Sequence, residues 1–185
     1  MSDIKISKRY AKALYDFSAE EKMIEQSFND MSLIYKISAE SKELKNFLKS
    51  PIIKNSKKVL VLKEIFGKSV SEISIKFIEI ISSSHREDYL NSIAEQYISI
   101  YKEHAGIKVA SIKTALALDE NIRKQIISEL EKQTGATIEL NESVKEELIG
   151  GFVLSLDNKE LDTSLKSKLI SLRKEFESNL FVKKY

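Results

Sequence analysis

Cysteine is absent from this sequence, proline occurs once and glycine only five times. Without cysteine there is no disulfide framework, no thiolate metal site and no thiol nucleophile. Such a composition suits a reducing compartment. A single proline, Pro51, and so few glycines do not supply the many tight turns of a sheet sandwich, so long helices are favoured. No window approaches the roughly 18 to 20 apolar residues of a membrane-spanning helix. The opening Met1-Ser2-Asp3-Ile4-Lys5 has no apolar leader core. The expectation is a soluble chain that meets a membrane only through a partner.

An excess of one charge sign is also missing. Thirty basic residues face 28 acidic ones, for a net charge of +2 and a pI near 8.5. A nucleic-acid binder usually shows a domain pI above about 9 and a one-sided basic stripe. The lysine-richest stretch, Lys42 to Lys68, also holds Glu43 and Glu64, and a solvated helix surface explains it better. A helical RNA-binding or ribosome-associated protein using that face is the alternative reading.

Catalytic constellations are missing too. The two histidines, His85 and His104, have no neighbours at metal-ligand spacing. His104, next to Glu103 at a helix end, reads as a cation near a helix C-terminus. There is no P-loop, dinucleotide fingerprint, nucleophile elbow or zinc-protease motif. The many serines fall at helix starts and read as caps, not as members of a triad. Gly150-Gly151 could let a phosphate approach the backbone, but that use needs a helix to follow. Here Phe152 to Leu156 reads as a strand, so the pair fits a tight turn or close packing. The expectation is no catalytic residue, no cofactor, no metal and no small-molecule ligand.

What remains is hydrophobic periodicity, in a chain that is 42% hydrophobic and 31% charged. Ile6, Tyr10, Ala13, Leu14 and Phe17 recur at helical spacing, and Ile24, Phe28, Met31 and Tyr35 repeat the pattern. Ser41 caps a short third helix through Leu44, Phe47 and Leu48, which Pro51 stops. A fourth helix starts near Asn55 or Ser56 and runs to Phe66, with Gly67 as a left-handed C-terminal cap. Ser69-Val70-Ser71-Glu72 spells a capping box for a fifth helix carrying Ile73, Phe77, Ile80 and Ile81. After the polar break Ser82 to His85, a sixth carries Leu90, Ile93, Tyr97 and Ile100 to about His104. Six short-linked amphipathic helices predict a bundle.

The character changes at Gly106. Ile107 to Leu118 is β-branched and reads as a strand. Asp119 caps a helix that Gly135 ends, and Thr137 to Leu140 alternates as a second strand. Ser143-x-x-Glu146 suggests a short helical turn. Phe152 to Leu156 is a third strand, Asp157-Asn158 a turn, and Lys159 to Leu161 pairs back across it. Asp162 starts a last helix with Leu165, Leu169, Leu172 and Phe176. The predicted fold is mostly α: a six-helix bundle over 1–105, then a smaller α+β domain over 106–185.

Four ordered segments resemble one family. They are Arg9-Tyr10-Ala11-Lys12-Ala13-Leu14-Tyr15; Phe47-Leu48-Lys49-Ser50-Pro51-Ile52-Ile53 with Lys57-Lys58 and Ile65-Phe66; Arg86, Leu90, Ile93 and Tyr97 leading to Thr114-Ala115; and Thr134-Gly135 with Leu148-Ile149-Gly150-Gly151-Phe152, Leu161-Asp162-Thr163-Ser164 and Leu169. Together they are similar to the delta, or oligomycin-sensitivity-conferring, subunits of F-type ATP synthases.

The resemblance implies a non-catalytic stator in the peripheral stalk, linking the catalytic head to the membrane-anchored stalk. It further implies that the first domain binds N-terminal segments of the head's alpha subunits in a groove between helices one and five. The second domain would meet the stalk's b subunits, with the complex on the cytoplasmic face of the inner membrane. Carried onto this sequence, the groove draws on Arg9, Tyr10, Ala13, Leu14, Ile73, Phe77, Ile80 and Ile81. Which of these face the groove and which the core, stripe geometry leaves open. Gly150, Gly151, Phe152, Asp162 and Ser164 are the family-motif positions with a structural part.

Overall fold

The computed structural model describes residues 2–157 and 159–178. The chain divides into two compact units, Met1–Ala105 and Gly106–Tyr185. It is mostly helical, with one small four-stranded sheet confined to the second unit.

The first unit holds α1 (Ser2–Glu20), α2 (Ile24–Glu40), α3 (Lys42–Lys49), α4 (Asn55–Phe66), α5 (Glu72–Ser83) and α6 (Leu90–His104). Both α1 and α2 pack along α6. The buried face of α1 is Ser7, Ala11, Leu14 and Ser18, spaced to form one helical stripe of mostly small side chains. Small side chains let two helices approach closely. The Ser18 hydroxyl is satisfied there by donating to Ser27 Oγ of α2 at 2.8 Å. Around α6, Leu90, Ile93, Ala94 and Tyr97 lie fully inside, with Met31, Ile34, Leu62, Phe66, Ile78 and Ile81 from the other helices. Burial pushes the Tyr97 phenol above its ordinary value.

Polar side chains tie the helix ends together. Ser41 accepts from Leu44 N at 3.1 Å and caps α3 as the sequence predicts. Lys58 and Glu87 form a buried ion pair at 2.7 Å, and Lys58 Nζ also donates to Leu48 O at 2.6 Å. That ammonium therefore satisfies an orphan carbonyl at the end of α3.

Two predicted helix boundaries are corrected. Gly67 is right-handed, with φ of −58°, so it is no left-handed cap. A Cβ there would instead collide with the Lys63 carbonyl oxygen, and close approach is what glycine permits. The α5 cap is Ser71, not Ser69: Ser71 Oγ accepts from Ser74 N at 3.4 Å. The Asp30 carboxylate of α2 displaces the predicted box. It accepts from Ser71 N at 2.9 Å, Ser71 Oγ at 2.5 Å and Ser74 Oγ at 2.7 Å.

The second unit orders its strands β2-β1-β3-β4, from β1 (Ile107–Thr114), β2 (Thr137–Val144), β3 (Phe152–Leu156) and β4 (Lys159–Asp162). Helix α7 (Glu120–Thr134) connects β1 to its parallel neighbour β2, while β3 and β4 join antiparallel. Asp119 caps α7 by accepting from Asn121 N at 2.7 Å, and Gly135 ends it at φ of 67°. The core cluster is Ala110, Leu130 and Ile138, with Ile126, Ile127, Leu140, Leu154 and Leu156 against it.

Strand β1 ends at Thr114 rather than Leu118. β2 runs on to Val144, because parallel pairing with β1 continues to Thr114↔Val144. Ser143 thus lies inside the strand, and Lys145 precedes a 3-10 turn, Glu146–Leu148. In the predicted Asp157-Asn158 turn, Asp157 has φ of 53° and Asn158 lies outside the described residues.

Asp162 ends β4 rather than opening α8 (Leu165–Ser178). Ser164 Oγ accepts from Ser167 N at 3.2 Å, and the Asp162 carboxylate accepts from Ser164 N at 2.8 Å and Ser167 Oγ at 2.5 Å. Before this turn Gly151 takes φ of +74°, and a Cβ there would sit 2.5 Å from Thr163 O. The turn is knitted by Thr163 N and Leu165 N, which donate to Phe152 O and Gly150 O at 2.9 and 3.0 Å.

Candidate partner-binding groove

The apolar stripe of α1 does not all go to the core. Since the Ser7–Ala11–Leu14–Ser18 face meets α6, the neighbouring row Tyr10, Ala13 and Phe17 is turned toward α5. Opposite stand Ile73, Lys76, Phe77 and Ile80 of α5, again at spacings of three and four. Between the two rows lies a groove of about 530 Å³, closed at one margin by Glu21.

Leu14 and Phe77 are nearly buried and form its floor, while Phe17 is 47% and Ile80 56% exposed at the rims. Large apolar side chains on facing helices, left half open, form a trough for another apolar helix face. Polar groups sit at the margins. Arg86 Nη1 donates to Tyr10 Oη at 3.3 Å, and its guanidinium lies 5.5 Å from the Tyr10 ring centroid. The Ser84 hydroxyl holds the Tyr10 phenol below its ordinary value; burial opposes it, and the Arg86 charge adds to the lowering. Lys76 is paired with Glu72 at 2.8 Å, which raises the ammonium and lowers the carboxyl.

Of the residues expected at this groove, Tyr10, Ala13, Leu14, Ile73, Phe77 and Ile80 line it. Arg9 does not; its guanidinium lies 5.8 Å from the Tyr10 ring centroid. Ile81 faces the core and is fully buried. Phe17, Glu21 and Lys76 were missed as groove residues. Phe17 carried a signal, since it continues the Tyr10–Ala13 row by one further turn.

A second unpartnered apolar surface lies on α8, where Leu165, Leu169, Leu172 and Phe176 are all exposed. A smaller depression of about 330 Å³ lies beside α7, over Ile126, Leu130, Phe152, Leu154 and Leu161. Among the described residues no cluster of three or more metal-ligating side chains occurs, and no helix is long and apolar enough to cross a membrane.

The family profile described as ATP synthase delta (OSCP) subunit matches residues 6–176. The chain belongs to the ATP synthase delta (OSCP) subunit family. It is therefore a non-catalytic stator subunit of the peripheral stalk. The ATP synthase subunit delta of Christiangramia forsetii is 33% identical over 184 residues, covering 100% of both chains. The chloroplastic subunit delta of Ochrosphaera neapolitana is 32% identical over 170 residues, 91% of this chain and 95% of the relative.

In fold the chain resembles a chain of the Toxoplasma gondii mitochondrial ATP synthase hexamer. The TM-score is 0.71 at 17% identity, covering 94% of this chain and 98% of that one. These relatives give the RNA-binding alternative no support. Three lysines of its proposed face are engaged within the fold: Lys58 with Glu87, Lys63 with Glu79, and Lys45 with Ala39 O.

Proposed function

We propose that this delta-family chain holds the ATP synthase head by taking the N-terminal segment of an alpha subunit into the α1–α5 groove. The supporting observation is the groove itself: an apolar trough with two half-exposed rims, Phe17 and Ile80. An amphipathic helix presents anchors at i, i+3 and i+7, which matches the spacing of both walls. On this reading residues 1–105 are the family's six-helix bundle and bind the head, and residues 106–185 bind the b subunits of the stalk. The exposed stripe of α8 favours the second half of that division, because a helix-shaped apolar surface is what a stalk helix would cover.

The work done is static. Rotation of the central rotor by proton flow drives ATP synthesis only if the head cannot turn with it. A stator contact must outlast many turnovers, and nanomolar affinity corresponds to about 12 kcal/mol. On this reading the chain sits peripherally, through the complex, at the cytoplasmic face of the inner membrane.

Calorimetry of the full chain with a synthetic alpha-subunit N-terminal peptide tests the reading. One-to-one binding that disappears on Ile80→Glu is expected. A folded chain that binds no peptide overturns the groove assignment.

A further inference from the structure

The two walls of the groove are held in different ways. α1 is seated by its small-residue face along α6, whereas α5 has no such extended seat beside α1 and packs chiefly on α4. What fixes its ends is polar. At the N-terminal end one carboxylate oxygen, Asp30 Oδ2 of α2, takes hydrogen bonds from Ser71 N, Ser71 Oγ and Ser74 Oγ, at 2.9, 2.5 and 2.7 Å. At the C-terminal end Asn55 Nδ2 of α4 donates to Ser82 O at 2.8 Å.

Asp30 is 6% exposed, Ser74 is fully buried, and Ile73 of the groove wall lies between the two serines that the carboxylate grips. We infer that Asp30 is the positioning residue of the groove: it fixes the first turn of α5 against α2 and so sets the separation of the α1 and α5 walls.

The physical argument is one of directionality. Apolar contacts such as Phe77 and Ile78 supply adhesion but tolerate sliding and rotation of a helix on its seat. Three charge-assisted bonds converging on one buried oxygen do not, because each weakens steeply with misalignment. The negative charge also lies where the α5 dipole favours it. Since Ile73, Phe77 and Ile80 project from this helix, a change in its rotation or tilt alters wall spacing without touching any residue that meets the partner. Asp30 therefore acts on binding only through α5.

The test uses the full chain, and the lack of native cysteine makes labelling simple. Spin labels at Asp16→Cys and Glu72→Cys, both exposed, report the α1–α5 separation by pulsed electron resonance. The parent should give a narrow distance distribution in the absence of any partner. Asp30→Ala should broaden it, and saturating alpha-subunit peptide should narrow it again. If the binding-competent spacing falls to a tenth of the population, peptide affinity drops about tenfold.

Should Asp30→Ala fail to fold, Ser74→Ala removes one of the three bonds and should broaden the distribution to a smaller extent. A variant whose distribution superimposes on the parent's, with only its melting temperature lowered, overturns the inference and leaves Asp30 a structural residue alone. The inference rests on the groove as the partner site for its meaning, but the two fail separately. Absence of peptide binding by the parent sinks the groove reading, while the distance distribution still decides the role of Asp30.

Discussion

The two units spend their apolar side chains differently. In the first, the cluster around α6 takes in whole large side chains, with Tyr97, Phe66, Met31, Ile34 and Leu62 shut off from solvent. In the second, the buried apolar side chains are fewer, Ala110, Ile112, Leu130, Ile138 and Val153, while Leu165, Leu169, Leu172 and Phe176 stand along one exposed helix. Buried apolar area is the main favourable term in folding, so the first unit carries more of its own stability. The second holds apolar surface in reserve. A part that is complete by itself needs only a groove to bind, whereas a part with an uncovered helix face gains stability when something covers it.

Mutations can break or sharpen this contrast. Phe66→Ala empties a fully buried site in the first unit and should cost about 4 kcal/mol in denaturant unfolding followed by circular dichroism. Lys58→Met strands Glu87 in the interior and should cost about 3 kcal/mol. The double change Lys58→Met with Glu87→Leu should cost less than the single one, because no buried charge is then left alone. Leu130→Ala in the thinner second core should cost about 2 kcal/mol, with hydrogen exchange accelerated in β1 and β2 before α6. Leu172→Ser should change the stability of the free chain by no more than about 0.5 kcal/mol, since its side chain is already half in water. A cost as large as that of Leu130→Ala would show that α8 is part of the core, and the contrast would fail.

The smallest effect is a pH dependence at the start of α8. Hydrogen bonds from Ser167 and Ser164 lower the Asp162 carboxyl below its ordinary 3.8. A depressed folded-state value means that the ionised acid stabilises the turn at neutral pH. That contribution is lost as pH falls through the folded value, below 3.8. Amide exchange at Ser164 and Ser167 should therefore quicken at acid pH beyond its intrinsic trend, and Asp162→Ala should abolish the extra change.

Periodicity made the helices and the change to strands at Gly106 legible, because both come from local spacing of apolar residues. It could not say which side of a two-sided helix meets the core. The obvious stripe of α1, Tyr10, Ala13 and Phe17, lines the groove, while the less conspicuous Ser7, Ala11 and Ser18 face α6. Adjacent residues divide in the same way on α5, Ile80 outward and Ile81 inward. Asp30 carried no signal and Lys58 read as part of a solvated helix surface, since their partners lie 41 and 29 residues away. The length of β2 was hidden for a similar reason: Asn141, Glu142 and Ser143 are polar, and the ladder to β1 keeps them extended.

The sheet has two open margins, and both are poor templates for further strands. β4 offers only four residues, Lys159 to Asp162, three of them charged, and β2 carries Glu139 and Glu142. A short border, as at β4, or a charged one, as at both, discourages the edge-to-edge stacking by which unpaired strands polymerise. With the apolar side of α8 exposed, self-association of this subunit through the backbone is thereby suppressed. Its route to higher assembly is left to side chains on helices, where a wrong partner can still dissociate.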